Sequence, residues 1–238
     1  MYMLNYKNQV IIYEIIKRKK KNVSIIIRAD GKVVVSAPFS VSVKKIEELV
    51  NRRAEWILDN IEVVKRKSAN IKEKKYISGE IFLYFGDEYE LDIVKEDKTK
   101  RTEVRINEGK IEIRVKSDFA DNEDNIKKKL NKWYREEAQS CIAMRVEMCA
   151  QRLGLKPELV RIKQLKRTWG ICTNKGIISL NWKLIMTPVD VMDYVIIHEL
   201  CHLKHPNHSK DFWNLVEVYM PDYKQKRDWL KKNAGRVN

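Results

Sequence analysis

The sequence predicts an α+β protein in which a strand-rich N-terminal region is followed by a mainly helical domain with a small sheet. Two observations carry this prediction. Residues 1–122 contain short β-branched runs separated by Gly, Asn and Asp, a pattern typical of strands and hairpins. Residues 123–238 place apolar residues at helical spacing over longer stretches. We therefore expect a strand-rich region with one helix over 1–122 and a second domain over 123–238.

The N-terminal strands are predicted from β-branched runs and from the turn residues that separate them. Asp30-Gly31 between two such runs indicates a hairpin, and glycines at 79, 86 and 109 mark further turns. The predicted strands are residues 10–17, 23–28, 32–37, 80–85, 88–94, 103–106 and 110–116. Helical periodicity predicts one helix over 43–65, and the lysine-rich stretch 65–75 is expected to be a surface connection.

From about residue 124 the pattern is that of helices. The longest is predicted over 126–153, because it carries an apolar stripe and is followed by Gly154. Strands are predicted at 160–165 and 176–184, and two helices at 209–219 and 222–232. Between them, a mostly apolar run that starts after Thr187-Pro188 predicts a largely buried helix. The sequence shows no internal repeat.

All four histidines of the chain lie within residues 198–208. His198 and His202 are four positions apart, so on a helix they share one face and can reach one ion at roughly 2.0–2.1 Å through ring nitrogens. Glu199 is turned by about 100° around the helix. That offset makes it a poor ligand, but it suits a general base that acts on a water at the metal.

The third ligand is predicted from a turn, since a catalytic zinc usually has three protein ligands and one open position. His205 would lie about 10.5 Å along a straight helix from His198, too far to share one ion. Pro206 disfavours helical geometry at His205 and indicates a turn that can bring His208 back. We therefore expect one zinc ion per chain, bound by His198, His202 and His208, with His205 outside the ligand set.

Composition limits the class of protein. The chain has 238 residues, a hydrophobic share of 44% and a net charge of +15. It shows no apolar run of membrane-spanning length, no signal peptide and no C-x-x-C pair, which predicts a cytoplasmic protein with reduced thiols and no membrane partner. The basic clusters, such as 17–21 and 163–167, would attract nucleic acid or nucleotides. A lysine-rich composition alone also explains them, and the oligomeric state is left open.

Several segments of the C-terminal half follow one another in the order typical of a known protein family. They are Trp169-Gly170-Ile171-Cys172-Thr173, residues 176–182, residues 193–203, Asn207-His208-Ser209 and Phe212-Trp213. This order resembles the YgjP-like metallopeptidase family, which is related to the SprT-like and WLM zincins, and the match covers nearly the whole chain. The resemblance implies a zincin-like metallopeptidase domain with His198, His202 and His208 as ligands and Glu199 as the catalytic residue.

The chain departs from the family pattern at two positions. Ile171 stands where the family often has Ser, and Thr168 stands where an Arg often precedes the Trp. These departures put in question any substrate role of that segment.

The resemblance implies a zinc-dependent peptidase that hydrolyses peptide bonds in protein or peptide substrates, with Glu199 taking the proton of the attacking water. The same site and the positive charge suggest an alternative, a metal-dependent hydrolase of nucleoside triphosphates, although no Walker-type glycine loop is present. A purely structural zinc is a third interpretation. Glu199 argues against it, because a structural site needs no general base.

Further residues near the motif have two interpretations each. Tyr194 is one helical turn before the first histidine and could donate a hydrogen bond to the substrate, but a packed tyrosine is the simpler expectation. Trp169, Trp182 and Trp213 are expected in the core. Asn181 would line the cleft if residues 177–182 formed an edge strand beside the helix that carries His198 and His202. Substrate peptides can pair with such an edge strand.

Overall fold

The structure is a computed structural model that describes residues 1–28, 30–70, 74–97, 102–120 and 122–237, with only the helical backbone for 65–70. The predicted α+β class is confirmed, since the described residues form helices and three small sheets. The chain folds as two compact units, Met1–Glu73 and Lys74–Asn238. The boundary expected between residues 122 and 123 does not coincide with this division, because strands before it share a core with the helices after it.

The first unit is a four-stranded sheet with two helices. Its elements are β1 Tyr2–Tyr6, β2 Gln9–Lys17, β3 Ser24–Ile27, β4 Val33–Ala37, α1 Val43–Arg52 and α2 Ala54–Asn70. Apolar residues of β2, β4 and both helices, such as Tyr13, Val35 and Ile57, form its core. The single helix expected over 43–65 is divided at Arg53. Helix α2 continues into the expected surface connection over 65–75, of which residues 71–73 lie outside the described residues.

The second unit contains two sheets and the remaining helices. Its strands are β5 Ile81–Tyr84, β6 Asp87–Lys95, β7 Glu103–Asn107, β8 Lys110–Val115, β9 Leu159–Lys163, β10 Gly170–Cys172 and β11 Ile177–Asn181. Its helices are α3 Ser117–Ala120, α4 Glu123–Leu153, α5 Val189–Cys201, α6 Lys210–Tyr219 and α7 Tyr223–Asn233, with a 3-10 helix at Trp182–Met186. Helix α5 is the predicted buried helix that leads into the histidine motif.

The two four-stranded sheets share one connectivity that the sequence does not reveal. Their orders are β1-β2-β4-β3 and β5-β6-β8-β7, each with a parallel central pair and antiparallel outer pairs. Their first hairpins turn in the same way, through positive φ at Lys7 and Asn8 and at Phe85 and Gly86. Two successive positive φ angles match the twist of hairpin strands. A four-strand motif followed by helices therefore occurs twice.

Two contacts fix helix α5 within the second unit, one in its first half and one at its start. Arg145 of α4 forms a two-pronged ion pair with Asp193 of α5. At its start, Gly86 of the β5–β6 turn lies so close to Pro188 that a Cβ would come within 2.6 Å of the proline Cγ. The apolar residues of α5 are almost entirely buried. No described helix is long and apolar enough to cross a membrane.

Candidate metal centre

Helix α5 and the residue after it present the first two histidines and the glutamate. His198 and Glu199 lie in its last turn, and His202 follows with helical backbone angles, φ −66° and ψ −19°. The four-residue spacing therefore keeps its helical geometry, and the two imidazole centres are 4.9 Å apart. His198 and His202 are partly exposed, whereas Glu199 is buried like most of the residues of α5.

A turn after His202 brings the third histidine back. The chain leaves the helix through a bond from the His205 N–H to the Cys201 carbonyl, 3.0 Å. It enters α6 at Ser209, whose hydroxyl caps that helix by accepting from the Phe212 N–H. The Nε2 atoms of His208 and His198 are then 3.0 Å apart.

The three imidazoles form a set that fits a divalent metal. One ring nitrogen from each of His198, His202 and His208 lies within 4.8 Å of the others. Two nitrogens that bind one tetrahedral zinc would be about 3.3 Å apart, close to the observed 3.0 Å between His198 and His208. The Nδ1 of His202 donates to the His205 carbonyl at 3.0 Å, which leaves its Nε2 lone pair for a metal. The His198 Nδ1 is buried without a partner among the described residues.

Burial also favours the neutral form of His198 and His202, the form that metals bind. Burial, followed by the nearby His202 and His208, lowers the pKa of His198 to about 3. Burial likewise lowers the pKa of His202. His198 and His202 therefore offer unprotonated nitrogens at neutral pH.

Glu199 lies beside this set with its carboxylate almost enclosed. Its side chain is 6% exposed, and burial raises its pKa to about 7 against the opposing effect of the Cys172 backbone N–H. Strand β10 packs directly on it. A Cβ at Gly170 would come within 2.5 Å of the Glu199 Cγ, so only glycine fits there.

Two aromatic residues of α6 hold the imidazoles in place. Phe212 stacks on His202 with ring centres 4.4 Å apart, and Trp213 stacks on His208 at 5.6 Å. Phe212 is fully buried, so the rings have little freedom to turn. The motif is thus supported by packing as well as by helix spacing.

A cavity of about 430 Å³ opens next to His198 and Glu199. Its other walls come from β10, α5 and α7 and include Trp169, Gly170, Tyr194, Arg227 and Leu230. Its size is that of an ordinary small-ligand site. The arrangement therefore places a buried carboxylate and three metal-binding nitrogens beside a space that a substrate group can fill.

His198, His202 and His208 converge, and the His205 side chain is outside this histidine set. Glu199 lines the same cavity as His198. The expectation for Asn181 was wrong: β11 is the middle strand of the order β10-β11-β9, and the Asn181 amide donates to the carbonyls of Leu165 and Thr168. The edge strand beside Glu199 is β10.

The tryptophans divide between core and site. Trp182 is buried in the core as expected, whereas Trp169 lines the cavity and Trp213 stacks on His208. Sequence reasoning missed Gly170 and Arg227 as parts of the site. Gly170 had a signal, since a glycine within a strand often marks a close approach, whereas nothing in the sequence marks Arg227.

The chain is similar to a known protein family and to a solved structure. The family model described as YgjP-like, metallopeptidase domain, matches residues 21–233. The crystal structure of the metallopeptidase zymogen of Pyrococcus abyssi abylysin is 32% identical over 38% of this chain and 93% of that chain, with a TM-score of 0.35. No curated protein matches the chain.

The family match spans both compact units and includes every residue of the histidine set. A member of a metallopeptidase family is a metal-dependent hydrolase, and the His triad described above could bind the metal that this chemistry requires. The chain belongs to the YgjP-like metallopeptidase-domain family.

Proposed function

We propose that the chain is a zinc-dependent peptidase of the cytoplasm, in which His198, His202 and His208 hold one zinc ion and Glu199 is the general base. The observation that supports it most is the convergence of three imidazoles next to a buried carboxylate. Zinc is the expected metal because three imidazoles with one open position are typical of its catalytic sites. When bound, zinc supplies Lewis-acid chemistry that makes water more acidic and favours developing negative charge.

Glu199 has the position and the pKa for proton transfer. A general base works best with a pKa near the operating pH, and burial raises the pKa of Glu199 to about 7. Its carboxylate takes a proton from the attacking water and returns it to the leaving amine. Gly170 and the Cys172 N–H fix the carboxylate from the side of β10.

Strand β10 is the surface along which an extended peptide would bind. It is an edge strand of three residues, and Ile171 in its centre is 44% exposed. A peptide that adds to this edge by main-chain hydrogen bonds would pass beside Glu199. This replaces the edge first expected at residues 177–182.

The test compares the zinc-loaded protein with Glu199→Gln and with a control, Glu217→Gln, an exposed glutamate of α6. Each protein is incubated with denatured proteins, with and without single-stranded DNA, and with nucleoside triphosphates, and the products are identified by mass spectrometry. We expect the wild type and the control to produce new peptide termini. In Glu199→Gln the rate at which they form should fall by about 10²–10⁴-fold, the usual range for lost acid–base catalysis. Zinc content should be equal in all three.

Two results would contradict the proposal. Equal peptide hydrolysis by Glu199→Gln and the control would remove Glu199 as the base. Glu199-dependent loss of triphosphate with intact proteins would favour the nucleotide-hydrolase alternative.

A further inference from the structure

The cavity next to Glu199 contains a cation without an anionic partner. Among the described residues, no hydrogen bond or ion pair engages Arg227, and its Nε is buried without an acceptor. Buried donors are normally satisfied, so an unpaired guanidinium in a cavity wall is suited to an acceptor that a ligand brings.

Arg227 is held in place by an aromatic residue of the metal centre. Its guanidinium carbon is 5.6 Å from the centre of the Trp213 ring. Trp213 is itself fixed by ring contacts that include stacks on His208 and on Tyr223, the latter at 5.1 Å with 17° between the planes. Stacking on tryptophan fixes a guanidinium without using its N–H groups. The donors therefore remain available to a ligand.

Neighbouring cations of α7 differ from Arg227 in this respect. Lys226 pairs with Asp190 and with Asp222, and Lys231, which also lines the cavity, lies 3.8 Å from Asp228. These lysines have acidic partners of their own. Arg227 is the basic residue of the cavity wall for which the described residues supply none.

The remaining wall of the cavity is largely apolar or aromatic. Trp169, Val195 and Leu230 face it together with Tyr194, and Glu199 is its acidic member. A ligand that fills this space thus meets an apolar surface that carries the Arg227 guanidinium. On the side of the metal centre it meets the Glu199 carboxylate.

We propose that Arg227 determines substrate specificity by binding a carboxylate of the peptide substrate in this cavity. The carboxylate belongs either to an Asp or Glu side chain near the cleaved bond or to the C-terminus of the peptide. The guanidinium matches a carboxylate because its planar N–H groups donate in pairs. This inference rests on the proposed peptidase function.

The test uses two matched peptide series. In one, Glu or Gln stands at each of three positions on either side of the cleaved bond; in the other, the same peptides end in a free carboxylate or an amide. They are assayed with the zinc-loaded wild-type protein, Arg227→Met, Arg227→Lys and the control Lys224→Met, an exposed α7 lysine outside the cavity.

We expect the wild type to prefer one acidic peptide over its neutral partner. Arg227→Met should lower kcat/KM for that peptide by about 10- to 100-fold, the effect of a lost hydrogen bond to a charged group. Its kcat/KM for the neutral partner should change less than about threefold, and Arg227→Lys should restore part of the preference. Lys224→Met should behave as the wild type.

A binding measurement separates this inference from the chemistry. Calorimetry with Glu199→Gln should show tighter binding of the acidic peptide, and the added Arg227→Met change should abolish the difference. If the wild type cleaves acidic and neutral peptides equally, or Arg227→Met weakens both alike, the inference is overturned while the peptidase proposal stands. If no peptide is cleaved in a Glu199-dependent way, the proposed function itself fails.

Discussion

His208 is the one member of the histidine set that does not come from the end of α5. It approaches His198 from the loop before α6, and it is aligned by its stack on Trp213. Its place is therefore set by the turn after α5 and by the packing of α6, and not by helix spacing. A change at this position tests the three-ligand arrangement directly.

We expect His208→Ala to weaken zinc binding by more than the roughly 10- to 100-fold that loss of an outer partner of a ligand usually costs. The matched control is His205→Ala, because only the backbone carbonyl of His205 contacts the site. Competition with a zinc-binding dye measures both affinities. Undiminished affinity in His208→Ala, or a larger loss in His205→Ala, would assign the third ligand elsewhere.

At the scale of residues, much of the histidine set was predictable because its spacing is local. Positions 198, 199 and 202 share one helix end, and the proline at 206 indicates the turn that returns the chain. Arg227 was not predictable. Its approach to the cavity depends on how α7 packs beside α5, which no short-range pattern encodes.

At the scale of elements, a buried glutamate connects strands β7 and β8 through side-chain hydrogen bonds. Glu112 of β8 is 6% exposed. It accepts hydrogen bonds from Arg105 at 3.0 Å, Asn107 at 2.9 Å and Arg114 at 2.6 Å. The bond from Arg114, followed by those of Asn107 and Arg105, lowers the pKa of Glu112 below its usual value.

This network gives stability a defined dependence on pH. A carboxylate whose pKa is lowered on folding contributes stability above its unfolded pKa, about 4.3, and loses it as the pH falls through the folded value. We expect Glu112→Gln to be less stable than the wild type by a constant amount above about pH 5, and the difference to shrink in more acidic solution. Urea unfolding at pH 3–7 measures it; a difference that does not depend on pH would refute this account.

Elements with a strong pattern were predicted, and those without one were missed. The long helix α4 and the hairpins β3–β4, β5–β6 and β7–β8 follow from apolar periodicity and from turn residues. Strand β10 has only three residues, too few for alternation to be visible. Residues 182–184 were expected to continue strand β11 but begin a 3-10 helix, because Trp182 and Leu184 are drawn into the core.

For the whole molecule, the division into two units, each with its own core, suggests that the site does not need the first 73 residues. We expect a fragment of residues 74–238 to fold, to bind zinc and to retain Glu199-dependent peptide hydrolysis. Circular dichroism, metal analysis and the peptide assay measure these properties against the full chain. A fragment that is folded but binds no zinc would show that the first unit contributes to the site.

The positive charge of the chain is concentrated in the first unit, which carries just over half of the net charge in less than a third of the length. Binding of nucleic acid there remains a prediction. If it occurs, replacing the exposed Arg18, Lys19 and Lys21 with glutamine should weaken binding of single-stranded DNA. Each lost phosphate contact should also reduce the slope of the logarithm of the binding constant against the logarithm of the salt concentration by about 0.7. Unchanged affinity and slope would exclude this cluster.

The glycine at position 86 links the hairpin β5–β6 to the start of the metal helix. Its positive φ and the absence of a Cβ let the turn press against Pro188. Any larger side chain would push the proline aside, and with it the N-terminus of α5, the helix that carries His198 in its last turn. A genetic screen for loss of activity would therefore recover substitutions at Gly86 beside those of the histidines, although this turn contributes no atom to the metal centre.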